Sequence, residues 1–137
     1  MARSAFVDAG PQENPIAVDP DGNVFWHERG NSADGAAFSW FIESADQLLN
    51  PDTVMLIRGV WPDVQGQLGG VGVTVTTRYF PQGDETSKMT GPLAPSEDKA
   101  DFRISGRLAK VKLSGSAAPT FARIGRPTFD VVPTSGR

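Results

Sequence analysis

The sequence predicts an all-β fold: an antiparallel β-sandwich, jelly-roll-like, with an N-terminal hairpin or extended arm. Three observations lead there. The 137 residues include 15 glycines and 11 prolines, which would interrupt helices too often for them to propagate. Apolar and polar residues alternate over short runs, the period of a strand with one face in a core and one in water. Those runs are rich in Val, Thr and Phe, which suit a pleated surface, and are bounded by the residues of turns.

The elements follow in order. Residues 1–14 carry little apolar content and form an N-terminal arm, either loose or laid down as an extended edge. Residues 15–137 form a single sandwich domain that includes an N-terminal hairpin. In that hairpin two apolar runs flank Asp19-Pro20-Asp21-Gly22, and Asp-Gly is a strong turn signal. "AAFSWFIES" (36–44) reads as an aromatic-rich strand. "ADQLLNPD" (45–52) has room for a turn of helix stopped by Pro51. "TVMLIRGVW" (53–61) and "VGVTVTTRYF" (71–80) read as a strand pair joined by the glycine-rich loop 62–70. In the second run Val71, Val73 and Val75 share one face, and Thr74, Thr76 and Arg78 the other. Residues 81–100, with three prolines and no periodicity, either wrap over a sheet or contact a neighbour. Short strands at 101–105, 108–114 and 120–132 close the chain. In the middle one Ala109, Val111 and Leu113 point opposite to Leu108, Lys110 and Lys112. Phe102, Phe121 and Phe129 point inward by the same alternation.

Composition narrows the chemistry. A chain of this length can bury a core of its own. With no cysteine there is no disulfide framework, thiolate metal site or cysteine nucleophile. The start of the chain lacks the apolar run of a signal peptide, and no stretch approaches the length of a membrane span. The net charge of −3 gives no global bias toward nucleic acid.

No catalytic constellation emerges, and the chain is expected not to be an enzyme and to take no metal or other cofactor. The single histidine, His27, is followed by Glu28, but neighbours in a strand face opposite ways and do not converge. "DPDGN" lacks the further acidic positions of a calcium loop. "GQLGGVGV" does not open a helix and has no Lys-Ser/Thr, so it fails as a phosphate loop. Trp26, Trp40 and Trp61 are candidates for a glycan-stacking surface, though strand tryptophans are more often core or interface anchors.

The C-terminal quarter holds Arg103, Arg107, Lys110, Lys112, Arg123, Arg126 and Arg137 against Asp130 alone. Its phenylalanines look inward rather than interleaving with the basic residues, so sequence-specific nucleic-acid binding is not expected. A solvated face, or one meeting an acidic neighbour, fits better. Arg107, Arg126 and Arg137 are therefore candidate subunit contacts, with Asp84, Glu85, Glu97 and Asp98 of another copy as their acidic counterparts. Each of these arginines follows a glycine, expected to ease a turn at a strand junction.

Five stretches, "DPDGNVFWHERG", "SWFIES", "RGVWPDVQGQLGGVGVTVTTRYFPQG", "EDKADFRISGRLAKVKLSG" and "IGRPTFDVVPTSGR", together resemble the C-terminal region of tail and neck structural proteins of tailed bacteriophages, alphaproteobacterial phages and prophages in particular. The resemblance covers residues 15–137 and carries no catalytic signature. The relatives it points to are longer, some with propeller-like repeats upstream. It implies a virion component, assembled in the bacterial host cytoplasm as a homo-oligomer, with copies of itself and other virion proteins as partners and no membrane. A capsid decoration protein and a host-glycan-binding module are the alternatives.

Overall fold

The computed structural model describes residues 4–33 and 35–134, and among them the secondary structure is strand alone. The fold is all-β and sandwich-like, with every strand pair antiparallel. The chain divides into two compact units, one ending at Asn31 and the other beginning at Ser32.

The first unit is a three-stranded meander of β1 (Ala5–Val7), β2 (Ile16–Val18) and β3 (Val24–Trp26). The arm thus supplies an extended edge strand. The β2–β3 turn forms where expected. Asp19 Oδ1 accepts from the amides of Asp21 and Asn23 at 2.9 Å each, and Gly22 takes a φ of 85°, a region open to glycine at no steric cost. The register sets Val7, Ile16 and Trp26 in one row and Ala5, Val18 and Val24 in the next. With side chains alternating along each strand, all six share one face.

The second unit contains β4 (Trp40–Glu43), β5 (Gln47–Leu48), β6 (Met55–Trp61), β7 (Val64–Leu68), β8 (Val71–Arg78), β9 (Thr86–Leu93), β10 (Ala100–Gly106), β11 (Leu108–Gly115), β12 (Phe121–Ile124) and β13 (Thr128–Pro133). One sheet runs β4-β11-β8-β9, with β5 in line beside β4 on β11. A second runs β10-β6-β13, and β7 pairs with β12. The core lies between the two larger sheets. Ile57, Val60, Ala100 and Ile104 meet Val71, Val73, Val75, Leu93, Ala109, Val111 and Leu113 in one cluster. The β11 alternation holds along its length: Ala109, Val111 and Leu113 are buried, and Leu108, Lys110 and Lys112 are half-buried.

Several expectations are corrected. Residues 53–61 and 71–80 do not pair with each other: β6 and β8 belong to different sheets, and the supposed loop between them holds β7. Residues 81–100 hold β9, paired along β8. Residues 45–52 form no helix but the short β5, and residues 36–44 are strand only from Trp40. Phe121 is exposed, whereas Phe102 and Phe129 do pack on the core. The physical reason is common to the two missed strands. β7 and β9 have glycine inside them, and Pro92 lies within β9, and an edge or two-stranded position tolerates both.

Candidate assembly surface

The outer face of the β4-β11-β8-β9 sheet is where chemistry and exposure converge. Its floor is small: Gly72 and Thr74 from β8 and Ser114 from β11. Phe41 and Met89 stand at either side, 67% and 65% exposed. With Trp40, Pro92 and Lys112 they line an open groove of about 760 Å³. The floor is close-fitting at Gly72, where a Cβ would sit 3.0 Å from the Met89 side chain and 3.1 Å from Ser114 Oγ. Trp40 is half-buried, its Nε1 donating to Thr120 Oγ1 at 2.8 Å. Gly115 beneath it leaves no room for a side chain, since a Cβ there would come 2.5 Å from the indole Nε1. Lys112 Nζ lies 4.3 Å from the Phe41 ring centroid.

Charge fills the other end of this face. Glu85 accepts from Arg78 and, at 3.0 Å, from Lys110 Nζ. Lys110 also reaches Glu43 at 3.3 Å, and Arg78 reaches Asp46 at 3.5 Å. The Arg78 hydrogen bond, then that of Lys110, holds the Glu85 carboxyl below its usual range, and Glu85 in turn raises Lys110 and Arg78. Glu85 is therefore engaged within its own chain.

A second charged cluster lies on the β10-β6-β13 sheet. Asp130 accepts from Arg58 at 2.8 Å and Lys99 at 3.1 Å, and those bonds, Arg58 first, depress its carboxyl. Lys99 is raised, chiefly by Asp130. Its stem lies over Gly59, and its Nζ sits 4.9 Å from the Trp61 ring centroid. One face of Trp61 is thus taken by a cation.

The remaining sequence candidates scatter. Arg107 is half-buried in the β10–β11 link. Its amide donates to Arg78 O at 2.9 Å, its carbonyl accepts from Leu49 at 2.8 Å, and its Nε is buried without a partner. Arg126 is exposed, and its amide donates to Asp63 Oδ2 at 2.9 Å. Arg137 lies outside the described residues, as does the glycine before it. Asp84 is exposed. Glu97 closes a turn by accepting from the Ala94 amide at 2.8 Å. Asp98, with Glu97 and Asp63, borders a hollow of about 290 Å³ beside Trp61. Trp40 and Trp61 lie on different sheets, and Trp26 belongs to the first unit, so no shared aromatic platform is defined. His27 packs edge-on against Phe6, centroids 5.7 Å apart. Among the described residues, no group of three His, Cys, Asp or Glu side chains is placed to hold a metal, and no helix is long and apolar enough to cross a membrane.

The two described glycine-arginine pairs fall at strand junctions, between β10 and β11 and between β12 and β13, and their glycines permit close approach. Gly106 and Gly125 both have ordinary negative φ. A Cβ on Gly106 would meet Thr77 at 2.6 Å, and one on Gly125 would fall on the Asp63 carboxylate.

Phe41, Met89 and Lys112 were not singled out as site residues by the sequence. The signal for the first was present in "SWFIES", whose apolar residues run on without alternation. No family model, curated protein or solved structure matches the chain.

Proposed function

We propose that this chain is a structural subunit of a tailed-bacteriophage particle, built into the tail or neck, that works by associating with copies of itself and other virion proteins. The observation that carries the self-association is the apolar face of the first unit. Ala5, Val7, Ile16, Val18, Val24 and Trp26 present no polar side chain, and Val7, Val24 and Trp26 are 60%, 63% and 51% exposed. A contiguous apolar sheet face left open to water marks a surface made to be covered. The phage assignment rests on the sequence resemblance. Repetition around a symmetric ring makes each modest interface sufficient.

The test has two parts. Light scattering on the purified chain over rising concentration is expected to give a mass above that of one chain, and Val24→Asp is expected to lower it. Antibody detection is expected to find the chain in purified particles from a host that carries its gene. A single-chain mass at every concentration refutes self-association, and absence from particles refutes the virion assignment.

A further inference from the structure

We infer that β4 is an open docking edge that pairs antiparallel with β4 of a second copy, about a two-fold axis passing beside Ile42. This deepens the self-association reading above and rests on it. Within the second unit β4 has one neighbour, β11. The Ser44 amide donates to Val111 O at 2.9 Å, directly across the register. Ser44, Ile42 and Trp40 therefore turn their amides and carbonyls toward β11, and by strand alternation Phe41 and Glu43 turn theirs outward. A strand edge with outward donors and acceptors is a template for another strand.

The occupant follows from self-complementarity. When two copies of β4 run antiparallel with Ile42 opposite Ile42, Phe41 stands opposite Glu43 of the other copy. Both residues carry outward backbone groups, so each such pair closes two hydrogen bonds, four in all. The side chains agree. Phe41 and Glu43 share the outer face, and Lys112 Nζ already lies over the Phe41 ring. Among the described residues Lys112 has no carboxylate within ion-pair distance. In the pair, the incoming Glu43, held by its own Lys110 at 3.3 Å, also arrives beside that ammonium, twice by symmetry. On the opposite face the two Ile42 side chains, each 52% exposed in one chain, cover one another. A strand with Phe41 and Ile42 uncovered carries neither proline nor lysine, two of the guards of an edge.

Phe41→Lys and Phe41→Pro test the edge without touching the bonds to β11, because the Phe41 amide points away from that strand. Both are expected to lower the mass of an associating wild-type chain by removing the β4 contact, while the apolar face of the first unit stays intact. The chain has no cysteine, so Ile42→Cys introduces a single thiol. Directly opposed, non-hydrogen-bonded residues have Cα atoms about 4.5 Å apart, within disulfide reach. Ile42→Cys is expected to oxidise to a covalent dimer at least about tenfold faster than Met89→Cys on β9, an excess that proximity produces. Equal rates, or a mass that neither Phe41 variant lowers, overturn the β4 interface and leave self-association standing. A wild-type chain that stays single at every concentration overturns both.

Discussion

The two edges of one sheet are built on opposite plans. β9, at one side, begins beside the Glu85 clamp, donates Lys88 Nζ to Arg103 O of β10 at 2.6 Å, shifts register between its pairs with Val71 and Val73, and carries Pro92 near its end. Lysine, irregular register and proline each blunt an edge. β4, at the other side, is four residues of Trp-Phe-Ile-Glu in regular register with β11. The central pair, β8 and β11, is common to both. The edges therefore differ in what they can recruit, not in the core they share.

The largest expected effect removes that shared core. Leu113 is 1% exposed, and Leu113→Ala is expected to cost about 2–5 kcal/mol in chemical denaturation, loosening both edges together. Next comes the anchor of β4 alone. Thr120→Val strips the acceptor from Trp40 Nε1, and an indole donor left buried without a partner is expected to cost about 1–3 kcal/mol, with faster hydrogen exchange at β4 than at β9. A smaller effect belongs to the β9 edge. Ser87→Ala removes the 2.7 Å bond to Thr76 Oγ1 and is expected to cost about 0.5–1.5 kcal/mol.

The mildest effect is the acid sensitivity of the two carboxylate clusters, only one of which lies beside β9. Glu85 and Asp130 are held below their ordinary values of 4.5 and 3.8. The unfolded chain therefore takes up protons before the folded one as pH falls, and stability present above those values is lost through and below them. The melting temperature is expected to drop from pH 5 to pH 3, and less steeply in Glu85→Gln. An identical slope in that variant would show that the clamp adds nothing. Sharpest for the comparison is an exchange of guards. In a Phe41→Lys background, Lys88→Thr with Pro92→Thr should make β9 associate, read as a mass that rises with concentration above that of the Phe41→Lys parent.

Much of the second unit was legible wherever one rule governed. β11 obeys the period of two because its two faces meet a dry core and a polar outer surface. The β8 valines are buried as expected, but Thr76 and Thr77 are buried too, at 8% and 1%. Thr76 bonds to Ser87, and Thr77 donates to Ser105 O at 2.9 Å. Burial of a satisfied hydroxyl leaves no trace in a hydrophobic pattern. Strand partnership was the harder part. β6 looked like the partner of β8 because the two are near in sequence, whereas its register is set by Thr128–Pro133 and Ala100–Gly106. Of the candidate contacts, Glu85 read as free because its clamp joins residues 7 and 25 positions away, and no local spacing announces that. The undefended character of β4 was visible only as a missing alternation.

The long reach of these pairings also governs how the chain comes into being. β4 waits for β11, β7 for β12, and β6 for a strand ending at Pro133. The three strands of the first unit lie within residues 5–26, so they close small loops at low entropic cost. On the ribosome the first unit has everything it pairs with long before the second does. Until β11 is made, Trp40, Phe41 and Ile42 have no strand to lie on, and the segment that later recruits a neighbour is the one most in need of protection while nascent.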